Sequence, residues 1–226
     1  MEIISIIPAR GGSKGIPMKN LKLINGKPLL YYSINSSLNS KYISRTIVSS
    51  DHEKILKIAK KLGAEIISRP KKFSTDNATT ESVISHSIEF LEKKEKYHPD
   101  IIVLLQNTSP LRNSKHIDEA IKLFLKKKYD SLLSCYPSHM FLWKKQNGTG
   151  APLNYDPKYR PMRQRFNNQF IENGAIYITK FSSFKKSKCR VSGKIGLYEM
   201  PKELSIDIDT RDDLKKINKM KKFFTN

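Results

Sequence analysis

The chain has 226 residues, 38% of them hydrophobic, with 42 Lys and Arg against 21 Asp and Glu for a formal net charge of +21. That length supports one sizeable core, and no run approaches the ~20 apolar residues a membrane-spanning helix needs. Cys135 and Cys189 make neither a disulfide framework nor a metal spacing, and the segment Met1–Ile7, with Glu2 in it, is too short and wrongly flanked for a secretory signal, so a reduced, cytoplasmic setting is expected.

In chain order, Ile3–Ile7 reads as a buried strand, followed by a glycine-rich loop and a helix over Pro28–Leu38. Ile43–Val48 is the next strand. Asp51 is placed as the N-cap of a helix burying Ile55, Ile58, Ala59 and Leu62, which Gly63 stops before a short strand at Ala64–Ile67. Thr79 or Thr80 opens a helix carrying Ile84, Ile88 and Leu91. Ile101–Leu105 is the strongest strand. Ser114 is expected to cap a helix with Ile117, Ala120, Ile121, Phe124 and Leu125 inward, and Ser131–Cys135 is a further strand. Strands alternating with helices of this length predict βαβ units, a mostly parallel sheet and a three-layer α/β fold.

The alternation stops over residues 136–168, which hold Trp143, several prolines and the Arg160, Arg163, Arg165 cluster. This stretch reads as an arm inserted into a main domain of residues 1–135 and 169–226, with Phe141 and Trp143 assigned to packing. Regular structure returns as strands over 174–178, Ile195–Met200 and Leu204–Asp209. Thr210 with Asp213 three residues on predicts a capping box and a last helix burying Leu214, Ile217 and Met220.

Two stretches carry chemistry. The loop Pro8-Ala9-Arg10-Gly11-Gly12-Ser13-Lys14-Gly15-Ile16-Pro17-Met18-Lys19-Asn20 follows a strand and combines three glycines with Arg10, Lys14 and Lys19, a composition suited to a polyphosphate. It is neither a P-loop nor a dinucleotide fingerprint. The second is Ser205-Ile206-Asp207-Ile208-Asp209-Thr210, where alternation puts Asp207 and Asp209 on one face. Two crowded carboxylates repel unless a cation joins them, and Mg2+ takes one or two carboxylates together with phosphate oxygens. The lysines recur in short runs rather than one arm, so the +21 charge reads as solvated helix faces before it reads as a nucleic-acid surface. His86, His116 and His139 are assigned no function.

The glycine-rich loop closely resembles the signature of the acylneuraminate cytidylyltransferases (CMP-sialic acid synthetases). The resemblance continues in order through Ile47-Val48-Ser49-Ser50-Asp51, Arg69-Pro70, Ser74-Thr75-Asp76, Leu104-Leu105-Gln106-Asn107-Thr108-Ser109-Pro110-Leu111-Arg112, Glu172-Asn173-Gly174-Ala175-Ile176-Tyr177-Ile178 and the Asp207/Asp209 segment. Asn107, Ser50 and Ile171 depart from the pattern, standing where proline, threonine and often arginine occur. The resemblance implies a nucleotidyltransferase (Rossmann-like) fold that transfers CMP from CTP to an acidic nine-carbon sugar of sialic, legionaminic or pseudaminic type, with Mg2+. It implies catalytic roles for Arg10, Lys19 and Asp209. Nucleotide contacts are implied for Ala9, Arg10, Gly11, Gly12, Ser13, Lys14, Lys19, Asn20, Arg69 and Thr80. Sugar contacts are implied for Gln106, Thr108, Ser109, Arg163 and Arg165, and metal binding for Asp207 and Asp209. It further implies a homodimer in which the arm completes the neighbour's sugar pocket, with no nucleic-acid or membrane partner. The rival readings are an enzyme activating the eight-carbon acid Kdo, and a basic nucleic-acid-binding protein.

Overall fold

The computed structural model describes residues 1–13, 15–166 and 168–224. The elements run β1 (Ile3–Pro8), a two-residue pair β2 (Leu23–Ile24) and β3 (Lys27–Pro28), α1 (Leu29–Leu38), β4 (Arg45–Ser50), α2 (Glu53–Lys61), β5 (Glu65–Ser68), α3 (Thr80–Glu95), β6 (Ile101–Leu104) and α4 (Ser114–Lys127). They continue with β7 (Ser131–Pro137), β8 (Trp143–Gln146), β9 (Thr149–Pro152), β10 (Phe170–Lys180), α5 (Phe181–Ser187), β11 (Ile195–Glu199) and α6 (Arg211–Lys219). Seven strands form one sheet in the order β11-β7-β10-β6-β1-β4-β5. All pairs are parallel except those of β10, which runs antiparallel to β6 and β7.

Strand alternation builds the three layers. Ile3 and Ile7 of β1 face a cluster with Leu30, Ile34, Ile55, Ile121 and Phe124 from α1, α2 and α4. Ile4 and Ile6 face the opposite side, against Ile84, Ile88 and Leu91 of α3 and Phe184 of α5. Because both faces are covered, β6 is an uninterrupted apolar run and the apolar run of β1 is broken only by Ser5. A third cluster joins Ile16, Ile24, Leu29, Leu111 and Ile217 around the fully buried Ile208. It docks α6 and the segment before it against β2, the start of α1 and the loop after β6. Among the described residues no helix is long and apolar enough to cross a membrane.

Several local expectations are corrected. His52, not Asp51, caps α2, its ring accepting from the Lys54 N–H at 3.2 Å. Asn113, not Ser114, caps α4, in a capping box with His116. The stretch 204–209 is not a strand: a 3-10 turn spans Lys202–Leu204, and the chain then runs without ladder partners, held by the Ile208 N–H on the Thr108 carbonyl at 2.9 Å, by Lys19 Nζ on the Ile208 carbonyl and by Asn173 Nδ2 on Ser205 Oγ. The expected capping box of α6 is present, although only Ile217 of the three named residues is fully buried. Residues 138–169 contain the β8–β9 hairpin and two short 3-10 turns, with Met140, Leu142, Trp143, Leu153, Tyr159 and Met162 all exposed.

Candidate active site

Loops following β1, β5 and β6 converge on a cavity of about 600 Å3. The placement follows the rule that open α/β sheets bind ligands beyond the carboxyl ends of their parallel strands. Arg10, Ser13, Gly15, Lys19 and Asn20 line it from the glycine-rich loop, Arg69 from the end of β5, Thr80 from the first turn of α3, and Gln106, Asn107 and Thr108 from the loop after β6. Asp207 and Asp209 close the remaining side.

Not every amide of the glycine-rich loop is available to a ligand. The Ala9 N–H donates to the Ser49 carbonyl at 2.9 Å, and the Gly11 N–H to the Asp51 carboxylate at 3.0 Å. Asp51 is thereby a clamp on the loop rather than a helix cap. Ala9, Gly11 and Gly12 do not line the cavity, and Lys14 lies outside the described residues. Gly11 and Gly15 are required by close approach, not by a left-handed backbone. A Cβ at Gly11 would meet the His52 side chain at 2.8 Å, and one at Gly15 would press into the Asp209 backbone carbonyl. The glycine-rich loop and the acidic segment therefore touch, backbone to backbone.

The cations are held in place by nearby acceptors. Lys19 Nζ donates to the Ile208 carbonyl at 2.7 Å and to Asp209 Oδ1 at 3.0 Å. Arg10 Nη1 reaches Asp76 Oδ1 at 3.1 Å and the Thr75 carbonyl at 3.2 Å, tying the loop to the opposite wall, and Asn20 Nδ2 donates to the Arg10 carbonyl at 2.9 Å. The Asp207 carboxyl is pushed above the usual carboxylate range by its enclosure in the cavity wall and by Asp209 beside it, against the lowering effect of a Thr108 hydrogen bond and of Lys19. Although the residue as a whole is exposed, its carboxyl thus behaves as a partly dehydrated group. Two oxygen donors beside cations that can carry phosphate fit Mg2+, which leaves most of its coordination to water and substrate. Among the described residues no group of three or more His, Cys, Asp or Glu could cage a metal by itself.

Three wall residues carry buried polar atoms without a partner among the described residues: Arg69 Nε, Ser74 Oγ and Asn107 Oδ1. Such atoms cost about 1–3 kcal/mol each unless a ligand or water satisfies them. Arg69 is 4% exposed, and burial lowers its proton affinity, opposed by the Asp51 charge and reinforced by Arg10. Arg69, Ser74 and Asn107 together put donor and acceptor side chains in one cavity wall, a set that suits a heterocycle with mixed donor and acceptor edges.

A second cavity of about 340 Å3 adjoins the first, lined by Tyr136, Ile171, Glu172, Asn173, Gly174, Tyr177 and Ser205, and sharing Gln106 and Asp207 with it. Its floor is a bulge in β10, where the register shifts between Glu172 and Tyr177 and Gly174 takes φ +70°. Asn173 pins that bulge to the acidic segment: Nδ2 donates to Ser205 Oγ at 2.9 Å, while Oδ1 accepts from Ser134 Oγ at 2.6 Å and the Ala175 N–H at 3.1 Å. Ser109 is fully buried, its hydroxyl 3.4 Å from the Asn173 carbonyl, and lines neither cavity. Arg163 and Arg165 sit exposed on a 3-10 turn of the 138–169 excursion and line neither cavity within this chain. The segment Phe73–Thr79 forms one wall, and the Ser74-Thr75-Asp76 motif is the signal in the sequence that marks it.

A three-layer α/β domain with a basic cavity at the carboxyl ends of its parallel strands, and an acidic pair facing the cations, is the architecture of the nucleotidyltransferase fold. The chain belongs to the cytidylyltransferase family, whose model matches residues 4–225. It is 37% identical over 217 residues to N-acylneuraminate cytidylyltransferase A of Danio rerio, covering 93% of this chain and 49% of that protein. It is 33% identical over 220 residues to N-acylneuraminate cytidylyltransferase of Streptococcus agalactiae serotype V, covering 94% and 52%. The chain thus spans about half the length of these curated relatives. Solved structures share the fold at low identity. A CMP:2-keto-3-deoxy-manno-octonic acid synthetase complexed with CTP superposes with a TM-score of 0.72 at 15% identity over all of both chains. The 4-diphosphocytidyl-2C-methyl-D-erythritol synthase of Anaerococcus prevotii gives 0.68 at 14% identity over 98% of each.

Proposed function

We propose that the chain transfers CMP from CTP to the anomeric hydroxyl of a nine-carbon 2-keto sugar acid of sialic type, releasing pyrophosphate. The observation that carries this reading is the pair of adjoining cavities that meet at Gln106 and Asp207. CTP occupies the larger, with Arg69, Ser74 and Asn107 reading the cytosine edge and Arg10, Lys19 and the free amides of the glycine-rich loop holding the triphosphate. The sugar acid occupies the smaller, with Gln106 and Thr108 at the boundary. The names of the curated relatives support the sialic type over the Kdo alternative.

In the transfer, the anomeric oxygen forms a bond to the α-phosphorus, the bond from that phosphorus to the bridging oxygen breaks, and pyrophosphate departs with the negative charge while the hydroxyl proton passes to solvent. Arg10 and Lys19 exchange their carboxylate partners for phosphate oxygens, which holds the α-phosphorus in line with the acceptor and offsets charge on the leaving group. Asp207 and Asp209 would hold Mg2+, which supplies further charge neutralisation on the phosphates and acidifies a nearby hydroxyl.

Residues 136–168 form an arm that joins two copies. The exposed Leu142, Trp143 and Leu153 on and beside the β8–β9 hairpin supply an apolar face, and Arg163 and Arg165, remote from the cavities of their own chain, are available to the neighbour's acceptor. Cys135 and Cys189 are free thiols, which suits a cytoplasmic enzyme. The nucleotide half of this reading is tested by a competition of the four nucleoside triphosphates, with Mg2+ and N-acetylneuraminic acid. Turnover restricted to CTP is expected; equal rates with UTP would contradict the assignment of Arg69 and its neighbours.

A further inference from the structure

The boundary between the two cavities is held by a buried charge. Arg112, on the loop between β6 and α4, is 1% exposed and forms no ion pair among the described residues. Its fork is fully occupied by neutral oxygens. Nη1 donates to the Gln106 carbonyl and to the Ala175 carbonyl, both at 3.1 Å. Nη2 donates to Ser33 Oγ at 2.8 Å and Ser36 Oγ at 3.2 Å, and Nε to Ser36 Oγ at 3.4 Å. Burial lowers its proton affinity to about 9, which leaves the group charged at neutral pH.

A buried cation without a counter-ion opposes folding, and an apolar side chain of similar volume would fill the space at lower cost. What an apolar residue cannot do is bond three separate elements at once. Arg112 joins α1, the loop after β6 and the bulge of β10. The last two meet at the acceptor boundary, because a Cβ at Gly174 would lie 2.7 Å from Gln106 Oε1. The Gln106 carboxamide is therefore seated over Gly174, with Arg112 setting the separation of the two backbones beneath it.

We propose that Arg112 is a positioning residue for the acceptor: its fork fixes the Gln106 main chain against the β10 bulge, so that the Gln106 carboxamide presents to the sugar acid, while Arg10, Lys19 and Arg69, on other loops, hold CTP without it. The proposal rests on the reading of the smaller cavity as the acceptor's. Two variants test it. Arg112→Lys keeps the charge and loses the fork; Ser36→Ala loosens the fork from α1 while keeping the Ser33 hydroxyl, which itself donates to the Gln106 carbonyl at 3.4 Å, and it touches neither cavity. Each is assayed for KM of N-acetylneuraminic acid, kcat, Kd of CTP by calorimetry, and melting temperature. The expected result is an acceptor KM raised tenfold or more in Arg112→Lys and severalfold in Ser36→Ala, with Kd for CTP within twofold of wild type in both. If Arg112→Lys does not fold, Ser36→Ala carries the same comparison. Acceptor KM and CTP Kd rising together, or an acceptor KM within twofold of wild type, would overturn the positioning role in favour of a purely structural one. A wild-type enzyme that turns over no sugar acid would overturn the acceptor reading, and this proposal with it.

Discussion

Replacing Gly15 by alanine probes the contact on which the proposed chemistry depends. The added Cβ would fall under 3.0 Å from the Asp209 backbone carbonyl, a separation that real Cβ atoms do not adopt, and ordinary contact begins at 3.4 Å. The obstacle is backbone, so no side chain can swing aside. The glycine-rich loop and the Asp207–Asp209 segment must separate by on the order of 1 Å, and a displacement of that size at reacting groups costs about a hundredfold in rate. The acidic segment has little freedom to absorb it elsewhere, since Ile208 is fully buried and its N–H is bonded to Thr108. Global stability should change little, because Gly15 itself is exposed and has no left-handed φ. Pyrophosphate release under saturating CTP and sugar acid, alongside a melting curve, reads both effects. Activity within threefold of wild type at unchanged melting temperature would refute the claim that phosphate loop and acidic pair must keep this spacing.

Asp209→Asn removes one of two carboxylates facing the triphosphate and the ion partner of Lys19; turnover should fall about a hundredfold or more with the fold retained, and near-normal turnover would refute the metal assignment. Asn173→Ala leaves a 5% exposed position and strips hydrogen bonds from Ser205, Ser134 and Ala175, so we expect about 2–4 kcal/mol of destabilisation by denaturant titration, and less than 0.5 kcal/mol would show that the pin is dispensable. Burial holds the proton affinities of His86 and His116 below the ordinary histidine value, with nearby cations, Arg69 and Arg112 respectively, adding to the effect. The unfolded chain therefore binds protons that the folded chain refuses, and this stability is present above about pH 6.5 and lost as pH falls below it. The melting temperature should drop between pH 7 and pH 5, and His86→Gln should flatten the slope; an unchanged slope would contradict it. Trp143→Glu with Leu153→Glu should convert the proposed dimer to monomer in sedimentation; a monomeric wild type would contradict the role of the arm, and a dimer that persists in the variant would place the interface elsewhere.

The parallel core was legible because buried strands such as Ile101–Leu104 are uninterrupted apolar runs, and because helices such as α4 carry apolar residues at helical spacing. The caps of α2 and α4 each fall one residue from the predicted position. Asp51 and Ser114 are as good cap residues as their neighbours by composition, and a tertiary partner decides: Asp51 is already engaged by the Gly11 amide. The expected strand at 204–209 fails because alternation alone does not provide a neighbouring strand. Its consequence for the site survives, since both aspartates line the cavity while Ile208 between them turns inward. Beyond its Ser74-Thr75-Asp76 motif the Phe73–Thr79 wall was not legible, nor were the β10 bulge and the buried fork of Arg112. They arise from tertiary placement of irregular segments, where no periodicity marks which side chain will face the ligand.

CTP-dependent activation of a nine-carbon sugar acid is read out by pyrophosphate release from CTP and Mg2+ with N-acetylneuraminic acid, its legionaminic and pseudaminic counterparts, Kdo, or no acceptor. Release should require CTP and a nine-carbon acid and give the corresponding CMP-sugar in equal amount. Release with Kdo alone, or no release together with salt-dependent binding of nucleic acid, would contradict it.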